Sequence, residues 1–233
     1  MAELVLDAAE VRVESPDLGW RTILAPTTLT LTEQRIGIVG GNGSGKSTLA
    51  RLLNGLVEPT SGRVLVDGLD VARRGAAVRL RVGFCFTDPA AQLVMPTCIE
   101  DVELSLRRTV SSRRERREAA LSTLSRFGLA ERADVSVHAL SGGQRQLLAL
   151  AGVLATSPDV LVADEPTTLL DLRNSRMVGD LLLSLPQQLV LVTHDLDLAR
   201  RCDRVLVVED GHVRFDGPAA EAVDFYVGSV TAP

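Results

Sequence analysis

Residues suited to chemistry are concentrated first in a glycine-rich loop. Its sequence is Gly40-Gly41-Asn42-Gly43-Ser44-Gly45-Lys46-Ser47-Thr48, and it joins an apolar strand to an apolar helical run. Glycines allow successive backbone N–H groups to turn inward around phosphate oxygens, and the helix adds the positive end of its dipole. We expect Lys46 to reach the β- and γ-phosphate oxygens and Ser47 to bind Mg²⁺. Lys46 is the only lysine among the 25 lysines and arginines, which indicates that this position requires an ammonium group.

A second set of chemical groups is the pair of adjacent carboxylates Asp164 and Glu165. They follow directly on the apolar residues 160–163, which have the character of a buried strand. We expect Asp164 to bind Mg²⁺, directly or through water, and Glu165 to polarise the attacking water as the general base. An acidic pair after a strand is a weak signal alone. Together with the glycine-rich loop it predicts hydrolysis of a nucleoside triphosphate.

A third motif, Leu140-Ser141-Gly142-Gly143-Gln144, precedes a long apolar helical run. Ser141 and Gln144 have the spacing of a capping box, and Gly142 and Gly143 leave backbone N–H groups open to an anion. The motif therefore predicts a second phosphate-binding helix start. Since the chain already has one loop for a γ-phosphate, we expect this second site to face ATP bound to another subunit, which implies a dimer.

These three motifs resemble those of the ABC ATPase family. The resemblance covers nearly the whole chain, and residues 140–144 are identical to the family's signature motif. It implies that Asp171, in the place of the D-loop, contacts the opposite subunit. It also implies that His194, in the place of the switch histidine, stabilises charge on the γ-phosphate or orients the water. Glu165, His194 and Lys46 are thus the predicted catalytic residues, although a single histidine after a strand is often structural.

The chain departs from the family pattern at two positions. Thr87 stands in Phe86-Thr87-Asp88-Pro89 where the family has the Q-loop glutamine, which links Mg²⁺ to the transmembrane contact. We include Thr87 among the predicted metal residues, through a bridging water, with Gln92 as the rival for this place. The aromatic residue that stacks on adenine in the family would fall near Ser15, which cannot stack, and Trp20 is the alternative.

Other stretches are similar to the ATPases of energy-coupling factor importers, which take up vitamins and transition metals of the biotin or the cobalt and nickel type. They are residues 50–56, 88–93, 96–97 and 100–102, while residues 32–38 look most like the biotin-uptake branch. The resemblance implies ATP and Mg²⁺ as cofactors. As partners it implies a second cassette in a homo- or heterodimer, an integral membrane coupling subunit and a substrate-binding membrane subunit, with the chain at the cytoplasmic face of the cell membrane. The alternatives are a soluble ABC ATPase of iron–sulfur cluster assembly and a degenerate cassette that hydrolyses ATP poorly.

Composition argues against other classes of function. The formal net charge of −5 does not fit a general nucleic-acid binder. We expect no signal peptide, and no uncharged stretch approaches the ~20 apolar residues that span a bilayer. Six arginines between residues 107 and 117 precede an apolar helical pattern, which indicates a solvated helix face or else a contact with a partner or anionic lipid. Cys85, Cys98 and Cys202 are expected to be buried thiols.

The remaining pattern predicts the architecture that positions these motifs. Strands are expected at residues 4–13, 28–31 and 36–39, with a turn around Ser15, Pro16, Asp17 and Gly19. Three apolar strands then lead into helices near Lys46, after Asp171 and after Asp195, as in a parallel sheet covered on both faces. We predict an α/β fold of the P-loop NTPase type, with an antiparallel N-terminal layer. One domain of residues 1–233 is expected, with a core of 1–95 and 158–233 and an inserted helical subdomain of 96–157.

Overall fold

The computed structural model describes residues 1–15 and 19–231. Pro16 and Asp17, in the predicted turn, lie outside the described residues. The strands are, in chain order, β1 (Leu4–Ser15), β2 (Gly19–Leu31), β3 (Arg35–Val39), β4 (Ser61–Val66), β5 (Leu69–Asp70), β6 (Val82–Cys85), β7 (Val160–Asp164), β8 (Gln188–Val192), β9 (Arg204–Glu209) and β10 (His212–Pro218). The α-helices are α1 (Lys46–Leu52), α2 (Val71–Arg81), α3 (Cys98–Leu106), α4 (Arg113–Arg126), α5 (Gly142–Leu154), α6 (Leu172–Ser184), α7 (Leu196–Ala199) and α8 (Ala219–Thr231).

The core sheet has six strands in the order β10-β9-β3-β8-β7-β6. All neighbours in it are parallel except β10, which runs antiparallel to β9. The carboxyl ends of parallel strands lie at one edge, so this topology brings the ends of β3, β7 and β8 together. The predicted fold class, with its mainly parallel core sheet, is confirmed.

The second sheet is antiparallel and has the order β2-β1-β4-β5. Strand β2 is longer than the predicted strand at 28–31 because it continues through Pro26, a residue that ordinarily interrupts a strand. The register between β1 and β2 shifts between the pairs Ala9–Thr27 and Val11–Leu24, so Pro26 falls at an irregularity of the ladder.

The core sheet separates two apolar cores. Along β7, Leu161 and Ala163 contribute to the core on the side of helices α3–α5, while Val160 and Val162 contribute to the core beneath the antiparallel sheet. The same alternation holds along β8 and β9. Because side chains of a strand point to opposite faces in turn, a continuous apolar run is what a strand covered on both faces requires.

The segment between β6 and β7 is helical, as predicted from its periodicity. Helix α3 begins after Thr97, and α4 begins after Ser112, whose side chain accepts a hydrogen bond from the backbone of Glu115. Ala120 and Leu124 are buried along α4, whereas most of its arginines are exposed, so this arginine-rich stretch has a solvated face. The division of the chain into a core and a helical subdomain at the stated boundaries stays a prediction.

In residues 1–15 and 19–231, no helix has the length and apolar character needed to cross a membrane. The three cysteines are free and buried, as predicted. Burial raises the pKa of the Cys85 thiol to about 12, so it carries no charge near neutral pH.

Candidate active site

The glycine-rich loop connects β3 to α1 and is held against β9 by close backbone contact. Gly40 has a φ of +146°, and a side chain there would bring its Cβ to 2.0 Å from the carbonyl oxygen of Val208. Gly45, just before α1, has a φ of +104°. Both positions require glycine, because other residues rarely adopt these backbone angles. Glycine at these two positions therefore allows the loop to curve tightly against β9 and into α1.

Lys46 lies inside this loop and is only 4 % exposed. Its Nζ donates a hydrogen bond to the carbonyl of Gly41 at 2.7 Å. Burial lowers the pKa of its ammonium group, and the negative charges of Glu165 and Asp164 partly offset this. A buried ammonium beside backbone N–H groups is suited to an anionic ligand.

Ser44, in the same loop, provides an independent indication of a ligand. Its hydroxyl is buried and has no hydrogen-bond partner among the described residues. A buried hydroxyl without a partner is costly, and a phosphate oxygen would satisfy it. The loop thus fits the phosphate chain of a nucleotide, as the sequence predicted.

Asp164 ends β7 and is held in place from three directions. Its Oδ1 accepts a hydrogen bond from the hydroxyl of Ser47 at 2.8 Å, and its Oδ2 lies 3.3 Å from Nη2 of Arg51. The hydroxyl of Thr87 donates to its backbone carbonyl at 2.8 Å. The paired oxygens of Ser47 and Asp164 are the hard donors that Mg²⁺ prefers, so these residues fit the metal.

Arg51 was not found from the sequence. It lies four residues after Ser47 on α1, so the two side chains share the helix face that looks toward β7. This spacing was a possible signal, but it became meaningful only once β7 was known to lie beside α1.

Glu165 and His194 are brought together at the ends of β7 and β8. Nδ1 of His194 lies 3.6 Å from Oε2 of Glu165, and the hydroxyl of Thr168 donates to the same Oε2 at 3.0 Å. The backbone of Glu165 has a φ of +50°, and its N–H donates to the carbonyl of Val192. A non-glycine residue in this region is strained, and such strain is typical of functional positions. Partial exposure of the Glu165 carboxylate, 19 %, leaves it accessible to water.

The two candidates for the Q-loop position have different surroundings. Thr87 contacts the backbone of Asp164, as described above, so it touches the predicted metal residue rather than pointing away from it. Gln92 uses both ends of its amide on backbone groups: its Oε1 accepts from Phe86 at 3.3 Å and its Nε2 donates to Ala149 at 3.1 Å. Gln92 therefore joins the loop to helix α5, while Thr87 joins it to β7.

The signature motif forms the predicted capping box at the start of α5. The hydroxyl of Ser141 accepts from the backbone of Gln144 at 3.3 Å, and the Gln144 side chain accepts from the backbone of Ser141 at 3.0 Å. Gly143 permits a close approach of α6, because a Cβ there would meet Asn174 at 2.7 Å. The backbone N–H groups of the first turn of α5 are left for an anion.

Asp171 is the N-cap of the adjacent helix α6. Its carboxylate accepts hydrogen bonds from the backbone and the side-chain amide of Asn174, at 2.9 and 2.8 Å. The backbone N–H of Asn174 is the main reason why the pKa of Asp171 is lowered, so its negative charge persists at neutral pH.

Among the described residues, the signature motif and the glycine-rich loop line two different cavities. The cavity at the loop has a volume of about 270 Å³, and its described lining residues are Arg21, Ile23 and Gly43 through Thr48. Gly142 lines a different cavity together with Leu169 and Leu170. The two motifs therefore border different cavities of the described chain.

Residues 25–168 match the family model described as ABC transporter. A biotin transport ATP-binding protein, BioM, of Rhizobium etli is 45 % identical over 208 residues, covering 89 % of this chain and 92 % of the relative.

Two solved structures are also similar. The structure of cbiO1 from Clostridium perfringens, part of the ABC transporter complex cbiONQ, has a TM-score of 0.81 at 31 % identity and covers 96 % of this chain and 92 % of its own. The ATP-binding cassette MJ0796, in a dimeric post-hydrolysis state with ADP and Pi, has a TM-score of 0.84 at 30 % identity. The match covers 93 % of this chain and 98 % of the MJ0796 chain. The chain belongs to the ABC transporter family, in which it is an ATP-binding cassette that hydrolyses ATP.

Proposed function

We propose that two copies of this chain bind two molecules of ATP with Mg²⁺ between them, and that the resulting closure drives uptake through an energy-coupling factor importer. The observation that supports the dimer is that the signature motif and the glycine-rich loop line different cavities of the described chain. A loop from one copy and a signature helix from the other complete one site. Since each chain has both parts, two identical copies give two complete sites.

Phosphate binding, metal binding and proton transfer are assigned to different residues of the site. Residues 40–48 bind the phosphate chain, with Lys46 opposite its β- and γ-oxygens, and Ser47 and Asp164 hold Mg²⁺, which supplies charge neutralisation when bound. Glu165 accepts a proton from the attacking water. The hydroxyl of Thr168 donates a hydrogen bond of 3.0 Å to Oε2 of Glu165 and so orients the carboxylate. His194 lies beside Glu165, where its ring can orient the water or donate to the γ-phosphate.

The opposite chain supplies the remaining contacts. The N–H groups at the start of α5, with Ser141 and Gln144 in their capping box, bind the γ-phosphate held by the partner's loop. Asp171 stands at the start of the neighbouring helix α6 and contacts the partner there. Its fixed negative charge suits a polar contact across the interface.

The import role is supported by the names of the relatives. The Rhizobium etli protein is named for biotin transport, and the Clostridium perfringens structure is described as part of cbiONQ. We propose biotin, or a transition metal of the cobalt or nickel type, as the cargo. The chain then acts on the cytoplasmic face of the membrane, bound to a transmembrane coupling subunit that works with a substrate-binding membrane subunit.

The test is purification of the chain from native membranes, with identification of the subunits and small molecule that accompany it. We expect integral membrane subunits and, in cells carrying Lys46→Ala, loss of uptake of labelled biotin or metal. Arg214→Gln, at an exposed position on β10, is the control and should transport normally. Recovery with a soluble iron–sulfur scaffold, with normal uptake in Lys46→Ala cells, would contradict the proposal.

A further inference from the structure

The cavity at the glycine-rich loop continues along strand β2, where Arg21 and Ile23 line it. A nucleotide whose phosphates occupy the loop must place its base against some neighbouring surface. We propose that the guanidinium of Arg21 is the surface on which the base of ATP stacks. This rests on the proposed binding of ATP at the loop and adds the residue that receives the base.

Strand β2 is fixed against the loop at Ile23. A Cβ on Gly45 would lie 2.7 Å from the carbonyl oxygen of Ile23, and one on Gly211 would lie 2.9 Å from the same atom. The strand therefore touches the start of α1, where the phosphates bind. Arg21 is two residues away, at most about 7 Å, just beyond the register shift at Ile23, and it lines the same cavity as Ile23.

Trp20, the alternative from the sequence, lies on the other side of β2. Neighbouring residues of a strand face opposite ways, so Trp20 faces away from the cavity that Arg21 and Ile23 line. Its ring lies below the guanidinium of Arg12, whose Cζ is 5.8 Å from the ring centroid. That arrangement occupies one face of the only tryptophan, and no aromatic residue precedes it in the chain.

The guanidinium of Arg21 lies on an exposed part of β2. Its side chain is exposed and, in the part of the chain that the structure describes, makes no hydrogen bond or ion pair. Val13, directly opposite in the β1–β2 ladder and 45 % exposed, adds an apolar surface on the same face. A planar guanidinium stacks on aromatic faces, and every purine offers such a face.

Stacking has a consequence for specificity. A base–guanidinium contact uses the π-face of the base and not its hydrogen-bonding edge, so it discriminates poorly between adenine and guanine. We therefore expect Arg21 to strengthen binding of ATP and GTP to a similar extent. Arg21 should contribute nothing to the binding of inorganic tripolyphosphate, which has no base.

The experiment is calorimetric titration of ATP, GTP and inorganic tripolyphosphate into the wild-type chain and three variants. Arg21→Gln should weaken the binding of ATP and GTP about fivefold and leave the affinity for tripolyphosphate unchanged. Arg21→Tyr should restore ATP affinity to within about twofold of wild type, because a ring replaces the stacking surface without the charge. Trp20→Ala should bind all three ligands as the wild type does.

When the wild type binds ATP and tripolyphosphate, any other result in the variants overturns the proposal. Equal weakening of ATP and tripolyphosphate in Arg21→Gln, with no rescue by tyrosine, would mean that Arg21 contacts a phosphate. Loss of ATP affinity in Trp20→Ala, or no loss in Arg21→Gln, would place the base elsewhere. Normal tripolyphosphate binding in a variant shows that its loop is folded. Failure of the wild type to bind either ATP or tripolyphosphate would instead contradict the proposed function.

Discussion

At the scale of single residues, Asp164 is the point where three elements meet. Ser47 and Arg51 of α1 contact its carboxylate, and Thr87, after β6, contacts its backbone carbonyl. The resemblance implies that the family's glutamine at this place reaches the metal, whereas the shorter threonine supports the backbone of Asp164, the predicted metal residue. We infer that Thr87 transmits the position of its loop to the metal site through a backbone hydrogen bond.

Thr87→Val removes the hydroxyl and keeps the shape of the side chain. We expect the Mg²⁺ concentration for half-maximal hydrolysis to rise about three- to tenfold, the range that one hydrogen bond contributes. ATP affinity measured without Mg²⁺ should stay within about twofold of wild type, because the loop of residues 40–48 is untouched. Mg²⁺ titrations of hydrolysis, with calorimetry of ATP binding, measure both quantities.

Gln92→Ala is the matched comparison. Its amide joins Phe86 to Ala149, so its loss should lower stability more than it changes the Mg²⁺ dependence. The opposite pattern, a strong Mg²⁺ effect in Gln92→Ala and none in Thr87→Val, would show that Gln92 delivers its amide to the metal and that the sequence alignment of this loop was wrong.

The local parts of the site were predictable because each is continuous in sequence. The loop, the acidic pair and the signature motif carry their spacing within a few residues, and the structure places each at a strand end or helix start. Arg51 and Thr168 were missed because their roles depend on contacts made after folding. Choosing between Arg21 and Trp20 likewise required the register of β2, which no local pattern specifies.

At the scale of elements, β3 and β7 of the core sheet were predicted within one residue, because apolar runs buried on both faces have a strong signal. Strand β6, at the edge of the same sheet, was not predicted. Three elements that bury few apolar side chains were not predicted. Helix α2 carries only Val71 and Val78 buried among arginines, and it is kinked at Arg74. Strand β4 and helix α8 likewise have few buried side chains.

Arg204 links the two sheets near their edge. Its guanidinium donates to both oxygens of Asp216, at 2.5 and 2.6 Å, to Glu33 at 3.0 Å and to the carbonyl of Thr30 at 2.9 Å. Hydrogen bonding to Asp216 is the main reason why the pKa of Arg204 is raised. The contact ties β9 and β10 of the core sheet to the end of β2.

Arg204→Gln should therefore lower the free energy of unfolding by about 2 kcal/mol, because two partly buried carboxylates lose their partner. Urea unfolding, followed by circular dichroism, measures it. Arg214→Gln changes an exposed arginine on β10 that makes no ion pair among the described residues, and it should stay within about 0.5 kcal/mol of wild type. Equal midpoints for the two variants would show that the Arg204 network does not stabilise the fold.

At the scale of the whole molecule, the glycine-rich loop and the signature motif line different cavities in the part of the chain that the structure describes. The loop cavity lies beside β2, and the start of α5 borders a separate cavity with residues of the D-loop. Leu169 and Leu172, which flank Asp171, are 62 and 68 % exposed. These leucines add apolar area to the surface that the second chain covers in the proposed dimer. In the proposed dimer, ATP joins two chains by contacting the loop of one and the signature helix of the other.

The most direct measurement is the mass in solution of Glu165→Gln with ATP and Mg²⁺, by light scattering. The amide keeps the size of the side chain but cannot accept the proton, so ATP should persist and hold two chains together. We expect twice the monomer mass with ATP, the monomer mass with ADP, and the monomer mass with ATP when Ser141→Arg is added. A Glu165→Gln chain that binds ATP yet stays monomeric, or a dimer that Ser141→Arg leaves intact, would contradict the account.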